Sequence, residues 1–235
     1  KRRRSELAAL QSQINPHFLY NTLESITWMV EGGKNQDAVF MISELAKLFR
    51  ISLSNGRTII SIEDELKHCK NYMNIQKYRY KERFVTDYDV SEEIYHFCTV
   101  KLIMQPILEN AIYYGVGNMD ADDNPRILVR GWKNDNDIYL AVSDNGMGMR
   151  REDVRNILSD NQKVPKHGCG VGLINVHTRI QLMFGVKYGL IVESEPDEGT
   201  TVTIHLPAVP YTEENCELLE NGVKKPGNEG DYDKT

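Results

Sequence analysis

Two glycine-rich segments contain residue types and spacings that could bind a charged ligand. Asp144-Asn-Gly-Met-Gly148 follows an apolar, strand-like run, and Gly168-Cys-Gly-Val-Gly172 comes directly before a predicted helix. Glycine lets the backbone approach a ligand closely, and the start of a helix presents N–H groups to an anion. Together the two segments predict a site for a phosphate-bearing ligand, although either segment alone would also suit an ordinary turn.

Asn110 is a third polar candidate, in the segment Gln105-Pro-Ile-Leu-Glu-Asn-Ala111 on an otherwise apolar helix. Its amide oxygen is a ligand type that Mg²⁺ accepts, because this ion prefers oxygen atoms and takes several of them from substrate phosphates. A polar surface residue is the alternative interpretation. Neither a GxGxxG nor a GxxxxGK[ST] pattern occurs, so a nucleotide would have to be held by other means.

His17 is the candidate nucleophile. It occurs in Gln13-Ile-Asn-Pro-His-Phe-Leu-Tyr-Asn21, where Pro16 suits a first helical turn and Asn21 lies four residues later on the same helical face. A neutral imidazole nitrogen is nucleophilic near pH 7. On spacing alone, a surface or capped histidine is the commoner interpretation.

The elements that must position these residues fall into two regions. Apolar residues recur at helical spacing from about residue 5 to 80, with breaks at Gly32-Gly33 and Asn55-Gly56 and a capped helix start at Ser61. A helical hairpin would bury little of these apolar stripes, whereas dimerisation into a four-helix bundle would cover them.

The second region, from about residue 84 to 207, mixes strands and helices. Alternation predicts strands over 84–90, 127–132, 138–142, 190–193 and 201–206, and helical spacing predicts helices over 103–114 and 172–184. The pattern predicts an α+β fold, with a mostly antiparallel sheet and helices on one face. The polar segment from 211 to 235 is expected not to pack.

Composition narrows the possible functions. The 235-residue chain has a formal net charge of −6, which disfavours direct nucleic-acid binding, and its four scattered cysteines form no CxxC pair. Neither a secretory leader nor an apolar run of about 18 residues is evident. The basic cluster at residues 1–4 favours a juxtamembrane position on the cytoplasmic side, with a nucleic-acid-binding patch as the alternative.

The order of the polar segments resembles the GHKL nucleotide-binding superfamily, which includes histidine kinases, gyrase and Hsp90. Four separated boxes carry the resemblance: Glu109-Asn-Ala111, Asp144–Gly148, Gly168–Gly172 and Gly199-Thr-Thr201. Asn15-Pro-His-Phe-Leu-Tyr-Asn-Thr-Leu23 resembles the acceptor box of LytS/YesM-type sensor histidine kinases, and Met104-Gln-Pro106 also matches that type. The resemblance implies a helical dimerisation and phosphoacceptor hairpin followed by a Bergerat-type α/β sandwich that binds ATP.

The resemblance also implies roles for individual residues. Asp144 would accept the adenine amino hydrogen, and Asn110 would hold Mg²⁺. His17 would be phosphorylated, with Asn21 orienting its ring, and residues 149–167 would form a lid over ATP. The remaining ATP-binding positions would be Gly146, Gly148, Gly168, Gly170, Gly172 and Thr200.

At the level of organisation, the resemblance implies acceptor helices over 1–83, an ATP-binding domain over 84–210 and a tail over 211–235. The chain would act as a homodimer and pass phosphate to the receiver domain of a response regulator. A membrane sensor would precede Lys1, so that this part would be cytoplasmic.

Three departures from the family pattern bear on the chemistry. Pro106 stands where hydrolysing GHKL ATPases have their water-activating glutamate, which favours transfer to a side chain over transfer to water. Phe18 stands where many histidine kinases have an acid, so no proton acceptor is identified. Tyr114 replaces a histidine that is common in this type. An ATP-binding scaffold without phosphotransfer and a GHKL ATPase therefore remain the alternatives.

Overall fold

The computed structural model describes residues 16–53, 56–158 and 171–222. Three helices come first: α1 over Pro16–Glu31, α2 over Asn35–Leu53 and α3 over Ile62–Arg79. The predicted cap of α3 is confirmed, because the Asp64 amide donates to Ser61 Oγ at 3.1 Å. A membrane-spanning helix is absent from the described ranges.

A five-stranded sheet forms the centre of the second region. Its strands are β2 (Val85–Val90), β4 (Arg126–Asn134), β5 (Asp137–Asp144), β6 (Gly189–Glu195) and β7 (Gly199–Pro207), in the order β2-β4-β5-β7-β6. The β2–β4 pair is parallel and the other neighbours are antiparallel. The predicted mixed fold and its five strands are thus confirmed, each strand within a few residues.

The two-residue period of β5 determines which of its side chains face the core. Ile138, Leu140 and Val142 are buried, and they pair in register with buried residues of β7. Because alternate residues of a strand share one face, Asp144 projects to the same side as these apolar residues. An acidic side chain therefore ends the buried row of a central strand.

Helices cover that side of the sheet. They are α4 over Met104–Asn110, which continues as a π-helix over Ala111–Val116, and α6 over Val171–Phe184; a short helix, α5, spans Arg151–Asn156. A second, two-stranded sheet pairs β1 (Ile59–Ser61) with β3 (Cys98–Val100), and α3 packs against α4. The helical and sheet regions consequently share one continuous apolar core.

The expectation that residues 211–235 do not pack is wrong for the part that the structure describes. Helix α7 spans Glu213–Gly222 and buries Cys216. The Glu220 carboxylate accepts the backbone N–H groups of Thr58 and Ile59 at 2.7 and 3.0 Å. The polar composition concealed this helix because its attachment depends on a side chain that bonds to distant backbone, and residues 223–235 lie outside the described chain.

Candidate functional site

Asp144 occupies a half-buried position at the end of β5. One carboxylate oxygen accepts the Gly146 amide at 2.9 Å, and the Thr200 amide also bonds to the carboxylate. A carboxylate has about four lone-pair positions, so these two donors leave acceptor capacity for a ligand. Burial raises the pKa of Asp144 to about 6, and the two backbone hydrogen bonds oppose that rise.

Three glycines leave the space that this carboxylate needs. A Cβ on Gly115 would lie 2.6 Å from Asp144 Cγ, and a Cβ on Gly146 would lie 2.4 Å from Gly115 Cα. Gly199, at φ +103°, would place a Cβ 2.0 Å from the Asp144 carbonyl oxygen. Side chains at these positions would overlap the aspartate or its turn, so the close packing depends on glycine.

We expect Gly115→Ala to weaken nucleotide binding at least tenfold, because the added methyl group overlaps the Asp144 carboxyl and must displace it. Isothermal titration with ADP measures the change. Gly222→Ala is the matched control, since nothing lies near a Cβ at that position. Equal affinity in the two variants would contradict the idea that Asp144 must keep its present place.

Ser194 links the turn after Asp144 to the β6–β7 turn. Its Oγ accepts the Met149 amide at 2.8 Å and donates to the Gly199 carbonyl at 2.8 Å. The same oxygen lies 2.9 Å from Thr200 Oγ1. Gly148, at φ +64°, fits against the Glu195 carbonyl where a Cβ would be only 1.9 Å away. These contacts fix the Asp144–Gly148 turn against the β6–β7 turn at the end of the strands.

Asn110 ends α4, where the backbone changes from α- to π-helical hydrogen bonding, a change common at functional sites. Among the residues that the structure describes, its Nδ2 atom is buried without a hydrogen-bond partner. A buried amide with an unused polar atom suits a role in ligand binding, because rotation of the amide exchanges its nitrogen and oxygen. Asn110 therefore fits the predicted Mg²⁺ site.

Neither Pro106, at the position where hydrolysing ATPases of this superfamily have their base, nor the nearby Glu109 is placed to activate water. Pro106 lies in the first turn of α4 and has no group that can accept a proton. Glu109 accepts a hydrogen bond from Gln105 Nε2 at 2.9 Å. Burial raises the pKa of Tyr72 on α3, and the charge of Glu109 adds to that rise. The Glu109 carboxylate is thus bonded within α4, and burial raises its pKa.

The second glycine segment is described only in part. Gly172 lies in the first turn of α6, where a Cβ would contact Pro106 at 3.4 Å. Gly168 and Gly170 lie outside the described residues, as do residues 159–167 of the predicted lid. The described part of the lid includes α5, which packs on β6.

His17 lies exposed near the start of α1. The Asn21 amide nitrogen is 3.1 Å from its Nδ1 and 3.2 Å from its Nε2. The next residue, Phe18, is buried and packs on Tyr72 of α3 with ring centroids 5.0 Å apart. Phe18 anchors the helix in the core, which gives a physical reason for an apolar residue directly after His17.

The predicted site residues form two groups. Asp144, Gly146, Gly148 and Thr200 come together at one end of the inner strands β5 and β7, beneath the helices that carry Asn110 and Gly172. His17 and Asn21 lie apart on α1, which packs on α2 and α3. Gly115 and Ser194 carry no sequence signal for a role at this site, because their contacts join residues far apart in the chain.

Two family models match the chain, one over the helical region and one over the region with the five-stranded sheet. A family model described as histidine kinase matches residues 5–84. A second, described as histidine kinase-, DNA gyrase B-, and HSP90-like ATPase, matches residues 99–210. The two matches lie in tandem and together cover most of the chain.

Curated relatives agree with the family models. Sensor histidine kinase YesM of Bacillus subtilis is 38% identical over 203 residues, which cover 86% of this chain and 33% of the relative. Sensor protein LytS of Staphylococcus saprophyticus is 29% identical over 216 residues, covering 92% of this chain and 36% of the relative. The chain thus spans about a third of the length of these relatives.

A solved structure shows the same fold for the second region. The catalytic domain of histidine kinase ThkA superposes with a TM-score of 0.51 at 14% identity, covering 65% of this chain and 98% of that domain. A histidine kinase match is followed along the chain by a GHKL-type ATPase match, and the curated relatives are sensor histidine kinases. The chain therefore belongs to the sensor histidine kinase family.

Proposed function

We propose that this chain is the kinase core of a two-component sensor: it binds Mg-ATP, phosphorylates His17 and passes the phosphoryl group to an aspartate of a response regulator. The observation that carries the proposal is the presence, in one chain, of an exposed helical histidine with an amide against its ring and of a half-buried aspartate closely surrounded by glycines. The first suits a phosphoacceptor and the second suits adenine.

Adenine recognition would depend on Asp144. The exocyclic amino group of adenine is a donor, and a carboxylate held by two backbone amides offers it a fixed acceptor. Guanine has a carbonyl oxygen at that position, which the same carboxylate would repel. Gly146 and Gly148 would allow the base and ribose to approach, and Thr200 would keep the carboxylate oriented.

The phosphates would lie between α4 and the start of α6. Asn110 would hold Mg²⁺, which supplies charge neutralisation to the transferred phosphoryl group, and Gly172 with Gly168 and Gly170 would provide backbone N–H groups. Phosphoryl transfer depends mainly on positioning and electrostatic stabilisation. A buried amide and a helix start, fixed against each other through Pro106, meet that requirement.

At the acceptor, the nucleophile would be the unprotonated ring nitrogen of His17. With its amide turned so that the oxygen accepts the ring N–H, Asn21 would fix the rotation of the imidazole and leave the unprotonated nitrogen as the nucleophile. An amide is not a base at neutral pH, so Asn21 would orient the ring and would not remove its proton.

The helical region would form a homodimer. Its α1 and α2 helices expose large apolar side chains, which a second copy would cover in a four-helix bundle: Tyr20, Leu23, Trp28, Val30, Val39, Phe40, Ile42 and Leu53. The receiver domain of a response regulator would then approach His17 from solvent. The full-length protein would carry a membrane-anchored sensor ahead of Lys1, which would leave this region in the cytoplasm.

The chemistry of the label tests the proposal against its alternatives. Incubation with γ-labelled ATP and Mg²⁺ should give protein-bound label that acid removes and alkali preserves, and the label should move to a receiver domain. An ATP-binding scaffold would bind ADP without acquiring label. A GHKL ATPase would release labelled phosphate steadily without a phosphoprotein, and either result would overturn the kinase assignment.

A further inference from the structure

Glu65 is a fully buried carboxylate outside the sites described above. It lies on α3, and its two oxygens accept three backbone N–H groups, from Leu102, Ile103 and Met104, at 2.8 to 2.9 Å. These amides precede and begin α4. Helix α4 has no capping side chain of its own, so a glutamate from another helix satisfies its first N–H groups.

The bonded loop has an unfavourable backbone conformation. Leu102 has φ +58°, in the left-handed region that residues other than glycine rarely adopt. Such a conformation persists only where the surroundings fix it. The Glu65 carboxylate fixes the loop from α3, and the Arg179 guanidinium fixes it from α6 by donating to the carbonyls of Lys101 at 2.6 Å and Leu102 at 3.4 Å.

Helix α4 is short, so its two ends move together. Asn110 lies six residues after Met104, about 9 Å along the axis at 1.5 Å per residue. The first turn of α4 also touches the first turn of α6, where Gly172 packs on Pro106. A displacement of the loop would therefore move both the candidate Mg²⁺ side chain and the helix that begins at the candidate phosphate-binding glycines.

We propose that Glu65 is a positioning residue for phosphoryl transfer: from α3 it caps α4 and thereby sets the place of Asn110 relative to the start of α6. The inference rests on the proposed function, because it assigns Asn110 to Mg²⁺. Glu65 also lies seven residues before Tyr72 on the same face of α3, and Tyr72 packs on Phe18 beside His17. Helix α3 thus contacts α1 through Tyr72 and the start of α4 through Glu65.

The test compares Glu65→Gln with Glu63→Gln, a partly exposed glutamate on the same helix that pairs with Lys67. Glutamine keeps the shape of Glu65 but has one acceptor oxygen for three donors and loses the negative charge. ADP affinity is measured by titration with Mg²⁺ and in EDTA, and the rate of His17 labelling is measured separately. We expect Glu65→Gln to lower the Mg²⁺-dependent gain in ADP affinity at least fivefold and the labelling rate at least tenfold.

The expected pattern is selective. ADP affinity in EDTA should stay within twofold of the unsubstituted chain, because Asp144 is not moved, and Glu63→Gln should match the unsubstituted chain throughout. A merely structural role would lower ADP affinity equally with and without Mg²⁺, which would overturn the inference. So would an unchanged Mg²⁺ response in Glu65→Gln.

If Glu65→Gln fails to fold, Glu65→Asp applies the same test, because it keeps the charge but is one methylene shorter and must pull or release the start of α4. Failure of the proposed function gives a different result. If the proposed function is wrong, the unsubstituted chain itself will show no Mg²⁺ response or no label. If only this inference is wrong, the unsubstituted chain will be active and the Glu65 variants will behave like it.

Discussion

His17→Gln should lose essentially all acid-labile label, by at least a hundredfold, while it binds ADP within twofold of the unsubstituted chain. The amide of glutamine is not nucleophilic, so the proposed acceptor is removed although a polar side chain of similar length remains. His17 is exposed on α1, and exposed substitutions usually change stability by less than about 0.5 kcal/mol. The variant should therefore keep its fold and sediment like the unsubstituted chain.

The matched control is His96→Gln. His96 is also exposed, but it lies in the loop before β3 rather than on the acceptor hairpin. It should label at the normal rate. Label that persists in His17→Gln and disappears in another histidine variant would show that the acceptor was chosen wrongly.

The label should also depend on the orientation of the ring. Asn21 contacts the His17 imidazole from one turn along α1, and Phe18 fixes that turn in the core. Loss of label in His17→Gln with normal nucleotide binding would separate the acceptor from the ATP site. The two groups lie on different elements, so one can fail without the other.

The sequence was most informative where a local pattern determines the structure. Alternation along 138–142 predicted a strand with one buried face, and the same period places Asp144 on that face. The cap at Ser61 was also evident, since the donor is only three residues away. In these places the periodicity or the spacing is itself the physical cause of the structure.

Contacts between distant segments could not be predicted in this way. Gly115 has no local sequence signal of its own, and only the fold shows that a side chain there would overlap Asp144. Glu65 bonds to amides 37 to 39 residues further along the chain, and Glu220 bonds to amides more than 160 residues earlier. A buried carboxylate on backbone amides has no sequence pattern, because its partners are N–H groups that every residue except proline has.

Asp144→Asn should weaken ADP binding by about 2- to 30-fold and at the same time stabilise the free protein at pH 7. The loss follows from exchanging a charged acceptor for a neutral one, since hydrogen bonds to charged groups contribute about 1.5–3 kcal/mol and neutral ones about 1. Discrimination against GDP should fall as well, because the repulsion of the guanine carbonyl by the carboxylate disappears. Unchanged affinity for ADP would refute the adenine-binding role.

The gain in stability follows from the direction of the pKa shift. Burial raises the pKa of Asp144 from 3.8 to about 6 in the folded state, so the folded protein binds this proton more tightly than the unfolded chain does. Asp144 therefore leaves the free energy of unfolding unchanged below pH 4. As the pH rises through 6 it lowers that free energy increasingly, by about 1–3 kcal/mol at pH 7. Asparagine has no charge to bury, so the variant avoids this cost.

Urea unfolding of the ligand-free proteins between pH 5 and 8 measures the difference. Asp144→Asn should exceed the unsubstituted chain by the full amount at pH 7 to 8, and the gap should narrow as the pH falls through 6. ADP affinity of the unsubstituted chain should weaken over the same range, as protonation removes the acceptor, whereas the affinity of the variant should lack that component. A gap that does not change with pH would mean that the carboxylate is not the group that titrates. The destabilisation of the fold at Asp144 and the expected preference for adenine would then have separate causes.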